Sequence, residues 1–143
     1  MLYLTLSNKL CYNQRMSLRL RLLFTTFFIC MLFAVDIVAN KLYLYWTYTW
    51  LDKTMHVMGG FAAGLLGLIC YEYMRRKPGR LLTALIGALI IGSMWELLEY
   101  ILHISRLGPQ FLIDTASDLT MDIIGGLIAY LIWKKLPQRT QQQ

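Results

Sequence analysis

Three aspartates, Asp114, Asp118 and Asp122, recur at i, i+4 and i+8 within the stretch DTASDLTMDIIGG. A helix places them within about 80° of arc on one face. Apolar residues Leu127 to Trp133 follow directly, and a carboxylate near a span's centre costs roughly 2.5–3.5 kcal/mol on insertion scales. Something must offset that cost. Elsewhere Asp52 pairs with His56 at i+4, Glu96 with Glu99 at i+3, and Glu99 with His103 at i+4, each set sharing a helical face. Carboxylates gathered with imidazole suit a hard-cation site, a proton relay or general acid–base work.

The elements that must position these groups are membrane spans. The 143 residues are 57% hydrophobic and only 15% charged, where a soluble domain carries about a quarter charged residues and no long apolar runs. Four runs long enough to cross a bilayer are expected at about residues 20–39, 52–73, 81–103 and 115–133. The fold class is therefore all-α, a polytopic four-helix transmembrane bundle. Residues 1–17 form an N-terminal segment, 18–133 the membrane domain and 134–143 a polar tail. Met16 opens MSLRLRLLF, which reads as a start, with residues 1–15 as an extension. A signal peptide competes for the first run, although its apolar stretch is longer than a usual signal core. The connector KLYLYWTYTWL at 41–51 is rich in Tyr and Trp, which collect at the headgroup layer. The second span carries Gly59, Gly60, Ala63, Gly64 and Gly67, small residues that let helices approach closely in lipid. Pro78–Gly79 and Gly108–Pro109 mark the remaining turns.

Charge distribution orients the bundle. Eleven of the fourteen basic residues fall on one side: Lys9, Arg15, Arg19, Arg21, Arg75, Arg76, Lys77, Arg80, Lys134, Lys135 and Arg139. Lys41, Lys53 and Arg106 fall on the other. This bias places both termini in the cytoplasm and accounts for the net charge of +6 without nucleic acid as a partner. Seven of the eight acids take the opposite side, with both histidines. At 1.5 Å per residue, His56 and Glu99 lie about 6 Å inside their helices, and Glu96 and Asp122 about 10 Å.

Ordinary roles exist for some of these groups. Asp52, Asp114 and Asp118 suit helix N-termini, and Thr115 with Asp118 fits a capping box. Asp36 suits a snorkelling position near a span end. Capping does not reach His56, Glu96, Glu99 or Asp122, for which the ordinary reading is a polar network between helices. Two carboxylates 4 Å apart repel by about 4 kcal/mol at an effective dielectric near 20. A cluster of five or six, with only Lys53 and Arg106 nearby, must keep extra protons or bind a cation. Asp52, His56, Asp114, Asp118 and Asp122 are the candidate metal ligands, and Glu96 and Glu99 the candidate catalytic bases. Such donors suit Mn²⁺, Mg²⁺, Ca²⁺ or Zn²⁺. There is no His-Glu-x-x-His motif, and Cys11, Cys30 and Cys70 have no metal-type spacing, so they read as unpaired thiols.

The run Asp52-Lys53-Thr54-Met55-His56, then Trp95-Glu96-Leu97-Leu98-Glu99, and the closing DTASDLTMDIIGG resemble the YjdF-like family of bacterial inner-membrane proteins. They are similar, more distantly, to VanZ-like proteins, named for a factor in glycopeptide antibiotic resistance. The likeness covers about residues 50–130. In VanZ-like relatives the position of Asp122 is expected to be Asn. The resemblance implies a multi-pass inner-membrane location and no particular reaction.

Three function classes fit. One is a divalent-metal-dependent enzyme acting on a lipid-linked or envelope phosphate or ester, with the site facing the periplasm. A second is a cation or proton transporter, against which four unbroken spans count unless the chain forms a homo-oligomer. A third is a non-catalytic envelope or stress factor. Membrane lipid is the expected partner of each, and no nucleotide-binding loop is present.

Overall fold

A computed structural model describes the backbone of residues 2–102 and 111–136, and side chains from residue 18 within those ranges. Among the described residues five helices follow one another: α1 (Leu2–Lys41), α2 (Leu44–Thr47), α3 (Thr49–Arg75), α4 (Leu81–Ile101) and α5 (Phe111–Lys135). Among the described residues there is no strand. Four stretches among the described residues are long and apolar enough to cross a membrane: Leu18–Lys41, Thr49–Arg75, Leu81–Ile101 and Phe111–Lys135. The expected four-span, all-α bundle is thus the observed one. His103, Arg106, the Gly108–Pro109 turn and the tail from 137 lie outside the described residues, as do the side chains of Lys9, Cys11 and Arg15.

Two boundaries differ from the sequence expectation. Helix α1 is continuous from Leu2, although residues 1–17 show no strong period. Helix α5 is already helical at Phe111, the first described residue after 102, so Ile113 and Asp114 are helical and Thr115 with Asp118 is no capping box. Asp122, eleven residues past Phe111, lies about 16 Å along the helix axis.

Helix α3 is the hub, packed against each of the other spans, and α4 and α5 also pack on each other. Glycine explains how closely α3 and α5 approach. A Cβ added at Gly60 would overlap the Asp122 backbone, and one at Gly125 would overlap the backbone at Val57 and Phe61. Gly64 faces Gly126 and Ala129 at 3.0 and 3.1 Å by the same measure. Helices in lipid gain little from apolar burial, so close van der Waals contact between small residues is what holds such a pair. Toward the other end the interior is Leu65, Leu68, Ile69, Ala84, Ala129 and Trp133.

Helix α1 sits at the side of this three-helix core. It packs on α3 and reaches the other spans through single side chains, Phe33 against the Trp95 ring at 6.4 Å and Arg21 over the Trp133 ring at 4.4 Å. Arg21 also pairs with buried Glu72 at 3.3 Å. At the opposite end Asp36 accepts hydrogen bonds from Tyr45 Oη at 2.7 Å and Asn40 Nδ2 at 3.1 Å. Burial and then that Asp36 bond push the Tyr45 phenol above its ordinary range. Asp36 is therefore tied to the α2 connector and not merely snorkelling. The short α2 follows Tyr43, whose left-handed backbone (φ 55°) turns the chain toward α3.

Candidate functional site

His56 stands at the centre of the polar cluster because its position on α3 faces both α4 and α5. It is 6% exposed. Nε2 looks toward three carboxylates from three helices: Glu96 Oε1 at 3.5 Å, and Asp52 Oδ1 and Asp118 Oδ1 at 3.9 Å each. The other ring nitrogen, Nδ1, meets Asp122 Oδ2 at 3.3 Å. Asp122 fits there because α4 offers no side chain opposite it: a Cβ at Gly92 would overlap the Asp122 carboxylate.

Lys53 is the second centre. Its Nζ donates to Asp118 Oδ1 at 2.6 Å and Asp114 Oδ1 at 2.7 Å, and lies 3.7 Å from Asp52 Oδ2. One ammonium therefore ties the start of α3 to the first two turns of α5. Thr115 Oγ1 donates to Glu96 Oε2 at 2.8 Å. Glu96 Oε1 is buried without a hydrogen-bond partner, and the residue is 7% exposed. An unsatisfied carboxylate oxygen is among the most costly atoms to bury.

The candidate residues separate into distinct places. Asp52, His56 and Asp118 each present one donor atom, and these lie within 4.8 Å of one another. Glu96 faces the same imidazole edge. Asp122 contacts the opposite edge of the ring, so it orients His56 and does not share the donor group. Asp114 is 62% exposed at its side chain and engages Lys53, at the mouth of the cluster. Glu99 accepts a hydrogen bond from Trp95 Nε1 at 2.7 Å on its own helix, and among the described residues it forms no ion pair. Sequence reasoning counted Lys53 as a nearby charge but missed its bridging role. It also missed the Thr115 bond and the room left by Gly92.

Chemically, the arrangement pairs one imidazole, oriented by a carboxylate, with three further carboxylates and a single lysine. A carboxylate on Nδ1 leaves Nε2 free to act as a ligand, the pattern found behind metal-bound histidines. A divalent ion with donors at about 2.0–2.4 Å needs them roughly 3–3.5 Å apart, so the donor atoms of Asp52, His56 and Asp118, at 3.9 Å from Nε2 and within 4.8 Å of one another, must draw together to hold one. Cluster and bundle together describe a multi-pass membrane protein with a buried acid–histidine site. No curated protein and no solved structure matches the chain. A family model described as "Predicted membrane protein" matches residues 2–139, consistent with the YjdF-like resemblance, and the chain belongs to that family, DUF2238.

Proposed function

We propose that this site binds one divalent cation through Asp52, His56 and Asp118, and that the protein is a metal-dependent hydrolase of a lipid-linked or envelope phosphate or ester. The cation would supply an activated water at neutral pH, and Glu96, beside His56 Nε2, would be the base. One observation carries the reading: buried Glu96 Oε1 has no hydrogen-bond partner and lies 3.5 Å from the same Nε2 that faces Asp52 and Asp118. The tyrosine- and tryptophan-rich connector at this end of the bundle suits a headgroup layer, which is where such a substrate's polar part lies. We place the protein in the bacterial inner membrane with both termini cytoplasmic, so that the site faces the periplasm. The VanZ-like likeness belongs to this reading too, since Asp52, Lys53 and His56, with Asp118 and the polar position at Asp122, are residues that carry it.

Elemental analysis of detergent-purified protein, after incubation with Mn²⁺ or Zn²⁺ and desalting, tests the cation. About one equivalent is expected in the wild type and none in His56→Ala. Glu96→Gln is expected to keep the metal and lose hydrolysis. Metal-free wild type would end the proposal. A second reading has its own support: Lys53 clamps Asp114 and Asp118 to α3, as a purely structural network would. That non-catalytic reading expects Glu96→Gln to lower the melting temperature and no metal in any variant.

A further inference from the structure

Lys53 and the proposed cation compete for the same oxygens. Of the three residues that offer donor atoms to an ion, Asp118 already receives the Lys53 ammonium at 2.6 Å and Asp52 lies 3.7 Å from it. A dication on the same Asp118 oxygen would lie only a few ångström from the ammonium, and the two positive charges would repel in a poorly screened site, which favours moving one of them away. The ammonium has somewhere to go. Asp114 holds it at 2.7 Å on the exposed side, and the Lys53 side chain is itself 28% exposed. What the ammonium does not do is satisfy Glu96, whose inward oxygen stays without a hydrogen bond. The cluster is thus only partly neutralised by its own lysine.

Resting on the cation reading above, we propose that Lys53 is the charge-selecting residue of the site. It is a tethered monovalent cation on Asp118 that a divalent ion displaces toward Asp114 and that sodium or potassium does not. A monovalent ion offers the carboxylates no more charge than the ammonium already there, whereas a divalent ion doubles the Coulomb attraction at the same distance. Selectivity for charge then comes from the occupant to be displaced, not from the ligand geometry.

The test is Mn²⁺ binding by calorimetry to detergent-solubilised wild type and Lys53→Gln, each in sodium-containing and sodium-free buffer. Lys53→Gln is expected to bind Mn²⁺ at least about tenfold more tightly than wild type in sodium-free buffer, and to lose much of that gain when sodium is added. Equal or weaker Mn²⁺ binding by Lys53→Gln, with wild type still binding, overturns the proposal and leaves the cation site standing. No Mn²⁺ binding by either protein overturns both. Should Lys53→Gln fail to fold, the wild type answers alone: acylation of the Lys53 amine, read by peptide mass spectrometry, is expected to rise when Mn²⁺ is added. Unchanged or reduced acylation overturns the displacement.

Discussion

At the scale of the residue, His56 and Asp122 divide one task. The imidazole presents Nε2 to Asp52, Glu96 and Asp118, and Asp122 fixes the ring from the Nδ1 side at 3.3 Å. If the site holds the proposed cation, removing the imidazole removes a ligand. Replacing Asp122 by Asn keeps a hydrogen-bonding group of the same size but withdraws the charge that makes Nε2 a better donor. Partners behind a metal-bound histidine are worth about 10–100-fold in metal affinity. Asp122→Asn is therefore expected to weaken Mn²⁺ binding by a factor in that range, while His56→Ala abolishes it. Calorimetry on the two purified variants checks the ranking, and an Asp122→Asn protein as deficient as His56→Ala would make Asp122 a direct ligand after all. Glu99 belongs elsewhere: with its carboxylate on Trp95 of the same helix, Glu99→Gln is expected to leave Mn²⁺ affinity unchanged in the same assay.

At the scale of the element, the site exists because α3 and α5 touch backbone to backbone. The glycines predict a graded series. Gly60→Ala and Gly125→Ala place a methyl group into the facing backbone, which cannot yield without separating the helices, and overpacking of this kind costs about 1–3 kcal/mol or more. Gly64→Ala meets its neighbours at 3.0 Å and needs a smaller shift, and Gly59→Ala meets nothing within 4 Å. Melting temperatures in one detergent are expected to fall most for Gly60→Ala and Gly125→Ala, less for Gly64→Ala, and not at all for Gly59→Ala, where alanine's helix propensity adds a little. A flat series would mean that α3 and α5 are not held this closely. Much of this was legible in the chain. Apolar runs announced the spans, glycine spacing announced a close-packed α3, and the acid–histidine pattern announced that Asp52, His56, Glu96, Asp118 and Asp122 would gather, but not that Glu99 would turn to Trp95. Their roles were not legible, for a physical reason. Periodicity tells which residues share a face of one helix, but not the rotation of that helix against its neighbour. That rotation sends Asp122 to one edge of the imidazole and Asp118 to the other. That residues 111–114 are helical was hidden because Phe111, Leu112 and Ile113 carry no capping signal and follow a Gly-Pro pair that reads as loop.

At the scale of the whole molecule, the two ends of the bundle carry opposite chemistry. One end has Arg21 with Glu72, Arg75, Arg76, Lys77 and Arg80 following Glu72 in sequence, and Lys134 and Lys135 directly after Trp133, the ring that Arg21 covers. The other has the acid–histidine site with Lys41 and Lys53. Lys53 is already neutralised by Asp52, Asp114 and Asp118, so among the described residues Lys41 is the one basic residue there outside the ion network. The effective charge asymmetry is thus steeper than a count of basic residues gives, and an excess of Lys and Arg marks the cytoplasmic side. We propose that the loop holding Lys77 lies in the cytoplasm and the aromatic connector outside it. Single cysteines test this in a background with Cys11, Cys30 and Cys70 changed to Ser. Thr47→Cys, on the exposed connector, is expected to react with a membrane-impermeant maleimide in intact cells. Lys77→Cys is expected to react only after the membrane is opened. The reverse pattern would turn the bundle over and place the His56 site against the cytoplasm, where its substrate would have to come from the inner leaflet.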